Sequence, residues 1–229
     1  MENIAVKVLL IKDIDVFSNL TDAQVEKVAK ASTYKKLYKN DYLYTPGAKK
    51  TFVNILEKGT IKLGNDIDAE KSIIRHLIFG GEIFGENVFT PSTVRNEFAQ
   101  AMENSHILQI PIPLFRSLVV ENELFATAIM EVIIGKLNAV EERLHNFVFK
   151  KAKTRIWDFI KEMGNLKGIR IGLDECLVNH GMSHKEIAFV TDTSRQTVAR
   201  VLGELKESNL IHFSPRKPHK ILIRNFQMT

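Results

Sequence analysis

The sequence predicts an α+β chain: a small antiparallel β-barrel or roll, then a long helix, then a winged helix-turn-helix. Three observations predict it. Between about Tyr34 and Ile112, short β-prone runs are punctuated by Gly47, Gly59, Gly64, Gly80, Gly81 and Gly85. Short strands at close spacing with glycine turns argue for a closed or rolled antiparallel sheet. Between about Leu114 and Phe149 the period becomes helical, with Met130, Ile133, Leu137, Val140, Leu144 and Phe147 recurring at alternating steps of three and four. Beyond "FKKAKTR" come two short helical patterns with a tight joint, and then two apolar runs around a basic, Pro-containing tip.

Bulk composition narrows the class. Hydrophobic residues make up 45% of the 229 and charged residues 26%, so the chain is expected to fold rather than stay disordered. No apolar run reaches the roughly eighteen residues of a membrane span. The apolar patch in "MENIAVKVLLIKDID" is interrupted by Lys7 and lacks a small-residue cleavage site. A cytoplasmic protein without a membrane partner is expected. A single cysteine, Cys176, excludes an intrachain disulfide framework, a four-cysteine iron–sulfur cluster and a Cys-rich zinc site. Charge is uneven: residues 150–229 hold fifteen Lys or Arg against eight Asp or Glu, and the rest of the chain is slightly acidic. A basic last third points to a polyanionic partner.

The elements follow in order. Residues 13–32 read as a short helical segment, with Thr21 and Gln24 forming a capping box ahead of Val25, Val28 and Ala29. Strands are expected in "TFVNIL", "GTIKLG" and "SIIRHLIF". The helical stretch from Leu114 has apolar positions beyond one stripe, so it can pack on the roll and on a second copy of itself. That predicts a homodimer, with the six seam residues as its contact. Three divisions result: 1–113, 114–150 and 151–229. In the last, a helix over Lys153–Glu162 precedes a loop with a short strand pair. Ser183 with Glu186 and Thr193 with Gln196 form two further capping boxes, each opening a short helix. "LIHFSPRKPHKILIRNF" reads as the strands of a wing.

In a helix-turn-helix, the first turn of the second helix meets base edges in the major groove. Arginine suits that position, because its fork donates to both O6 and N7 of guanine. Arg195 and Arg200 are five residues apart, about 500° of rotation, and so address different bases. Gln196 lies between them and can pair with adenine. Ser194 and Thr197, with the first-turn amides, are placed for phosphate. Ile187, Ala188, Val190, Val198, Val201, Leu202 and Leu205 supply the face that locks the two helices together. The expected partner is double-stranded DNA. A ligand-binding module whose last domain meets proteins instead is the alternative. No nucleophile–base pair, metal cluster or phosphate-binding glycine loop suggests an enzyme.

Nearly the whole chain resembles the Crp/Fnr family of bacterial transcriptional regulators. "LYTPGAKKTFVNILEKGTIKL", "IFGGEIFGENVF" and "SHKEIAFVTDTSRQTVARVLGELKESNLI" carry the resemblance. It implies a cyclic-nucleotide-binding-type β-roll (a double-stranded β-helix), a long dimerisation helix and a winged helix. It also implies RNA polymerase as a partner if the chain activates. By position, Arg195, Gln196 and Arg200 match the family's recognition triplet, which is Arg-Glu-Arg in the cyclic-AMP receptor subgroup. Lys153, Ser183, Ser214, Arg216 and Lys217 match expected phosphate contacts. Asp192 replaces the usual turn glycine, and an aspartate tolerates left-handed backbone better than most residues.

The resemblance also implies an effector pocket at Gly85, Glu86, Arg95, Asn96, Val140 and Glu141. Glu86 would accept from a ribose hydroxyl and Arg95 would hold a phosphate. An alternative is that Glu86 and Arg95 form a buried ion pair holding the turn. Asn96 replaces a small hydroxyl residue, and Val140 and Glu141 replace the pair that meets adenine. Val140 cannot hydrogen-bond a base, and a buried donor left unpaired costs about 1–3 kcal/mol. Cyclic AMP is therefore expected to be a weak ligand at best, with another small anion or no effector in its place. His76 and His106, in the roll, are read as surface or core residues rather than haem ligands. His180 and His184 are four apart, but Gly181 and the Ser183 cap break the helix a metal pair needs. Cys176 is read as a buried, inert thiol ahead of a redox sensor.

Overall fold

The computed structural model describes residues 4–66, 72–214 and 220–226. The chain divides into two compact units, 1–139 and 140–229. Its elements run α1 (Ile4–Lys12), α2 (Asp22–Ala31), β1 (Thr33–Leu37), β2 (Tyr42–Tyr44), β3 (Phe52–Lys58), β4 (Thr60–Asp66), β5 (Ser72–Phe79), β6 (Ile83–Phe84), β7 (Phe98–Ala101) and β8 (Ser105–Pro111). They continue with α3 (Ile112–Glu121), α4 (Glu123–Phe149), α5 (Ala152–Lys167), β9 (Gly168–Arg170), β10 (Cys176–Val178), α6 (His184–Val190), α7 (Arg195–Glu207), β11 (Ile211–Phe213) and β12 (Ile221–Ile223).

The first unit is the expected roll. Two four-stranded antiparallel sheets, ordered β1-β8-β3-β6 and β2-β7-β4-β5, supply it. Strand β8 is buried on both faces: Ile107 points into one cluster, while Leu108 and Ile110 point into the other. Leu37, Leu56, Ile61, Leu63, Ile78, Phe84, Ala99, Ala101 and Ile107 form one buried cluster. A second cluster joins Val53, Ile55, Leu108 and Ile110 to Phe17, Val25, Val28, Phe115, Leu118, Phe125 and Ile129 from the helices. There Phe115 meets Phe125 edge-on, with ring centroids 5.6 Å apart, an arrangement aromatic quadrupoles favour. The Thr21–Gln24 capping box opens α2 as expected. The N-terminal apolar patch forms α1, which buries Ile11.

The helical stretch over 114–150 is not one helix. It breaks at Asn122, whose backbone is extended (φ −131°, ψ 103°). The Asn122 side chain accepts from Phe125 N at 3.0 Å and so caps α4, while its amide donates to Asn19 O and Gln24 Oε1. A short polar side chain that offers the backbone another partner ends one helix and starts the next.

In the second unit β11-β12-β10-β9 form an antiparallel sheet beside α5, α6 and α7. The expected strand pair is β9 with β10, and α5 runs to Lys167, five residues past its expected end. Ser183 and Glu186 make their capping box at α6. The box expected at Thr193 and Gln196 does not form: Ser194, one residue on, is the N-cap of α7 and accepts from Thr197 N at 3.1 Å. Thr193 instead belongs to the turn, where its N–H donates to Ala188 O at 2.9 Å.

Candidate nucleic-acid interface

Helix α7 buries Val198, Val201, Leu202 and Leu205 and exposes Arg195, Gln196, Ala199 and Arg200. At about 100° per residue, the outward arc runs from Arg195 through Ala199, Gly203 and Gln196 to Arg200, with Lys206 and Glu207 on the same arc at the C-terminal end. Two long cationic side chains thus flank a centre made of Ala199 and Gly203. A Cβ added at Gly203 would meet nothing within 4 Å. Long forks beside a low centre allow a helix to approach a surface closely while the forks reach ahead of it.

The joint between α6 and α7 is built around Asp192, which takes the left-handed conformation expected of it (φ 51°). Two arginines hold this turn. Arg143, from α4, donates to Asp192 Oδ2 from Nε at 2.9 Å and to Oδ1 from Nη2 at 2.7 Å. Its Nη2 also donates to Phe189 O at 2.8 Å. Arg155, from α5, donates to Thr191 O at 3.0 Å and to Asp192 O at 2.9 Å. These bonds satisfy carbonyls left open where α6 ends. Ile187 and Ala188 are buried against α7, and Val190 is half-buried.

The other residues of the expected interface occupy specific positions. Ser194 Oγ and Thr197 Oγ1 lie 2.9 Å apart, sharing a hydrogen bond at the N-terminus of α7. Ser183 Oγ is engaged with Glu186 at the start of α6. Lys153, in the first turn of α5, pairs with Glu204 at 2.9 Å, and Arg200 pairs with the same carboxylate. These partners hold the Glu204 carboxyl below its ordinary range, Lys153 first. The side chains of Arg195 and Gln196 make no hydrogen bond or ion pair among the described residues. In the wing, Ser214 accepts from Lys220 N at 3.1 Å. Arg216 and Lys217 lie outside the described residues.

In the roll, Arg95 is buried at 3% exposure. It donates to Gly85 O at 3.2 Å and Phe52 O at 2.6 Å, and its guanidinium lies 4.6 Å from the Tyr44 ring centre. Gly85 adopts φ +81°, and a Cβ there would approach Arg95 Nη1 to 2.9 Å and Asn54 Nδ2 to 3.0 Å. The ion pair considered between Glu86 and Arg95 does not form, because Glu86 pairs with Lys136 at 2.7 Å. Asn96 is exposed, and its carbonyl accepts from Asn65. Val140 and Glu141 are exposed on α4, in the second unit.

Tyr44, Arg75 and Glu97 were not anticipated. Glu97 is 8% exposed, with Tyr44 Oη at 3.4 Å and Arg75 at 3.7 Å. Burial pushes the Glu97 carboxyl up from its ordinary value, with Arg75 opposing, and burial likewise pushes the Tyr44 phenol up. Two of the three carry a sequence signal: Arg75 lies inside the apolar run "SIIRHLIF", and Glu97 is an acid directly ahead of "FAQA".

Cys176 is fully buried, with Sγ 3.6 Å from Gly164 O, and burial raises its pKa, as the inert reading requires. Among the described residues no group of three or more His, Cys, Asp or Glu could hold a metal ion. His106 lies 3.4 Å from the Glu57 carboxylate. No helix among the described residues is long and apolar enough to cross a membrane.

A β-roll followed by a winged helix-turn-helix defines a two-unit regulator, with a sensing-type domain ahead of a DNA-reading head. Comparison with known proteins bears this out. Residues 34–122 match the cyclic nucleotide-binding domain and residues 154–228 the Crp-like helix-turn-helix domain. The anaerobic regulatory protein of Bacillus subtilis is 20% identical over 187 residues, covering 81% of this chain and 78% of that one. The cyclic AMP receptor protein of Thermus thermophilus is 27% identical over 139 residues, 61% of each chain. Among solved structures, FixK2 from Bradyrhizobium japonicum superposes with a TM-score of 0.73 at 18% identity, covering 85% of this chain and 93% of that one. A CooA mutant from Carboxydothermus hydrogenoformans gives 0.70 at 22% identity, covering 98% and 93%. The chain belongs to the Crp/Fnr family of transcriptional regulators, which are not enzymes.

Proposed function

We propose that the chain is a homodimeric, sequence-specific DNA-binding regulator acting on a pseudo-palindromic site, read by Arg195, Gln196 and Arg200. The observation that carries this reading is the outward face of α7, with two arginines flanking a low centre while the opposite face is fully buried. Each arginine matches the O6 and N7 of a guanine, and Gln196 matches an adenine edge. Lys153, Ser183, Ser194, Thr197 and Ser214 contact phosphate and set the register, together with Arg216 and Lys217.

The dimer forms along α4. Met130, Ile133, Leu137, Val140, Leu144 and Phe147 are each between 42% and 63% exposed in the single chain, which leaves an apolar heptad stripe for a second copy. Two reading heads then address major grooves about 34 Å apart. Functionally the chain divides as roll (1–113), dimer segment (114–150) and head (151–229), and the protein works in the cytoplasm, with RNA polymerase as partner if it activates.

Cyclic AMP is at best a weak ligand of this roll. Arg95 already donates to two carbonyls, Asn96 is exposed, and Glu97 adds a buried carboxyl beside the site. The roll takes a different small anion or none. Two titrations test these readings. Duplex binding across a potassium chloride series should weaken along a straight line in log–log form, with a slope of about −0.9 per phosphate contacted. An absent slope would favour a protein partner. Calorimetry with cyclic AMP should show no micromolar binding, and micromolar binding would overturn the weak-ligand reading.

A further inference from the structure

We propose that Glu204 is a specificity-determining residue: its carboxylate holds Lys153 and Arg200 back, weakening binding to random duplex more than to the true site. The inference rests on α7 being the DNA-reading helix. Glu204 lies one turn beyond Arg200, at the edge of the outward arc nearest α5. Its Oε2 is 2.9 Å from Lys153 Nζ, and its Oε1 accepts from Arg200 Nη1. A single negative charge thus serves two cations of the interface. Neither cation has another partner among the described residues, whereas Arg195 has none at all.

The consequence differs with what the duplex offers. Random sequence offers Lys153 and Arg200 only phosphates, which must displace a carboxylate already in place. That carboxylate also repels the backbone at close range. A guanine at the right position offers Arg200 two acceptors in the plane of its fork. This pays for release of the carboxylate, so discrimination comes from an element that penalises the wrong partner. Glu207, one turn further towards the C-terminus, also faces outward but makes no ion pair with Lys153 or Arg200; among the described residues Glu204 is the carboxylate that engages both cations.

The test uses the full chain, wild type and Glu204→Gln, which keeps shape and removes charge. Fluorescence anisotropy reads binding to the duplex selected by wild type and to a scrambled duplex, over a potassium chloride series. Glu204→Gln should bind the scrambled duplex about tenfold tighter and gain less on the selected one. Its slope on scrambled duplex should steepen by about one or two, as the freed cations neutralise phosphates. Adding Lys153→Met to Glu204→Gln should remove part of that gain. Circular dichroism melting identifies any unfolded variant, for which Glu204→Ala is substituted. Unchanged affinity and slope on scrambled duplex overturn the proposal. So does selective loss on the selected duplex, which would make Glu204 a support for Arg200. If wild type shows no salt-dependent duplex binding, the DNA-reading assignment itself fails.

Discussion

Gly85 packs against Arg95 and Asn54 with φ +81°, so Gly85→Ala combines left-handed strain with overlap of buried polar atoms. A loss of about 1–3 kcal/mol follows, read by urea unfolding, and an unchanged midpoint would contradict it. His180 makes a pH-dependent prediction. Burial first, then His184, depresses its pKa from 6.5 to about 4, with Glu186 opposing, and Nδ1 accepts from Met182 N at 3.1 Å. The folded chain keeps this ring neutral where the unfolded chain takes a proton. Its stability contribution is therefore complete above about pH 6.5, drains as pH falls towards about 4, and levels below that. Urea midpoints for wild type and His180→Gln should diverge in that window, and parallel curves would contradict the reading. At this scale the sequence was partly legible. Asp192 as a left-handed residue and Gly85 as a turn glycine could be read from motif position. The environments of Glu97 and His180 could not, because burial is set by neighbours distant in the chain.

Among the elements, the reading head depends on a turn clasped by Arg143 and Arg155. Arg143→Ala removes a two-point contact to Asp192 and a bond to Phe189 O. With both side chains about 30% exposed, a loss of about 1–2 kcal/mol is expected. Asp192→Asn should reproduce much of it, since asparagine keeps the backbone and loses the charge. Thermal melting of the full chain checks both, and wild-type midpoints would refute the clasp. Periodicity made the strands and α7 legible, because it records which face is buried. It missed the break at Asn122, where one side chain's capping bond outweighs an otherwise helical pattern. The displaced cap at Ser194 has a similar cause: adjacent Thr and Ser can both cap, and backbone position decides between them.

For the whole molecule, the account requires two copies. Replacing Leu137 and Leu144 with glutamate places charge in the apolar stripe, so sedimentation equilibrium should find the variant monomeric and the wild type dimeric. The monomer should bind an inverted repeat at least tenfold more weakly, since one head is lost. The basic last third made a DNA-binding family legible from the sequence, and the apolar seam on α4 is the feature from which self-association is proposed. The nature of the effector was not, because the roll's charged groups meet one another as closely as they would meet a ligand. The most direct test of the central claim is selection of bound sites from random duplex DNA, with wild type and with Arg195→Ala. The account predicts an inverted repeat containing guanines, with half-sites about one helical turn apart. The variant should lose base preference at one symmetric pair of positions, at a cost of about 1–3 kcal/mol. An identical motif from both proteins, or no motif from either, would contradict it.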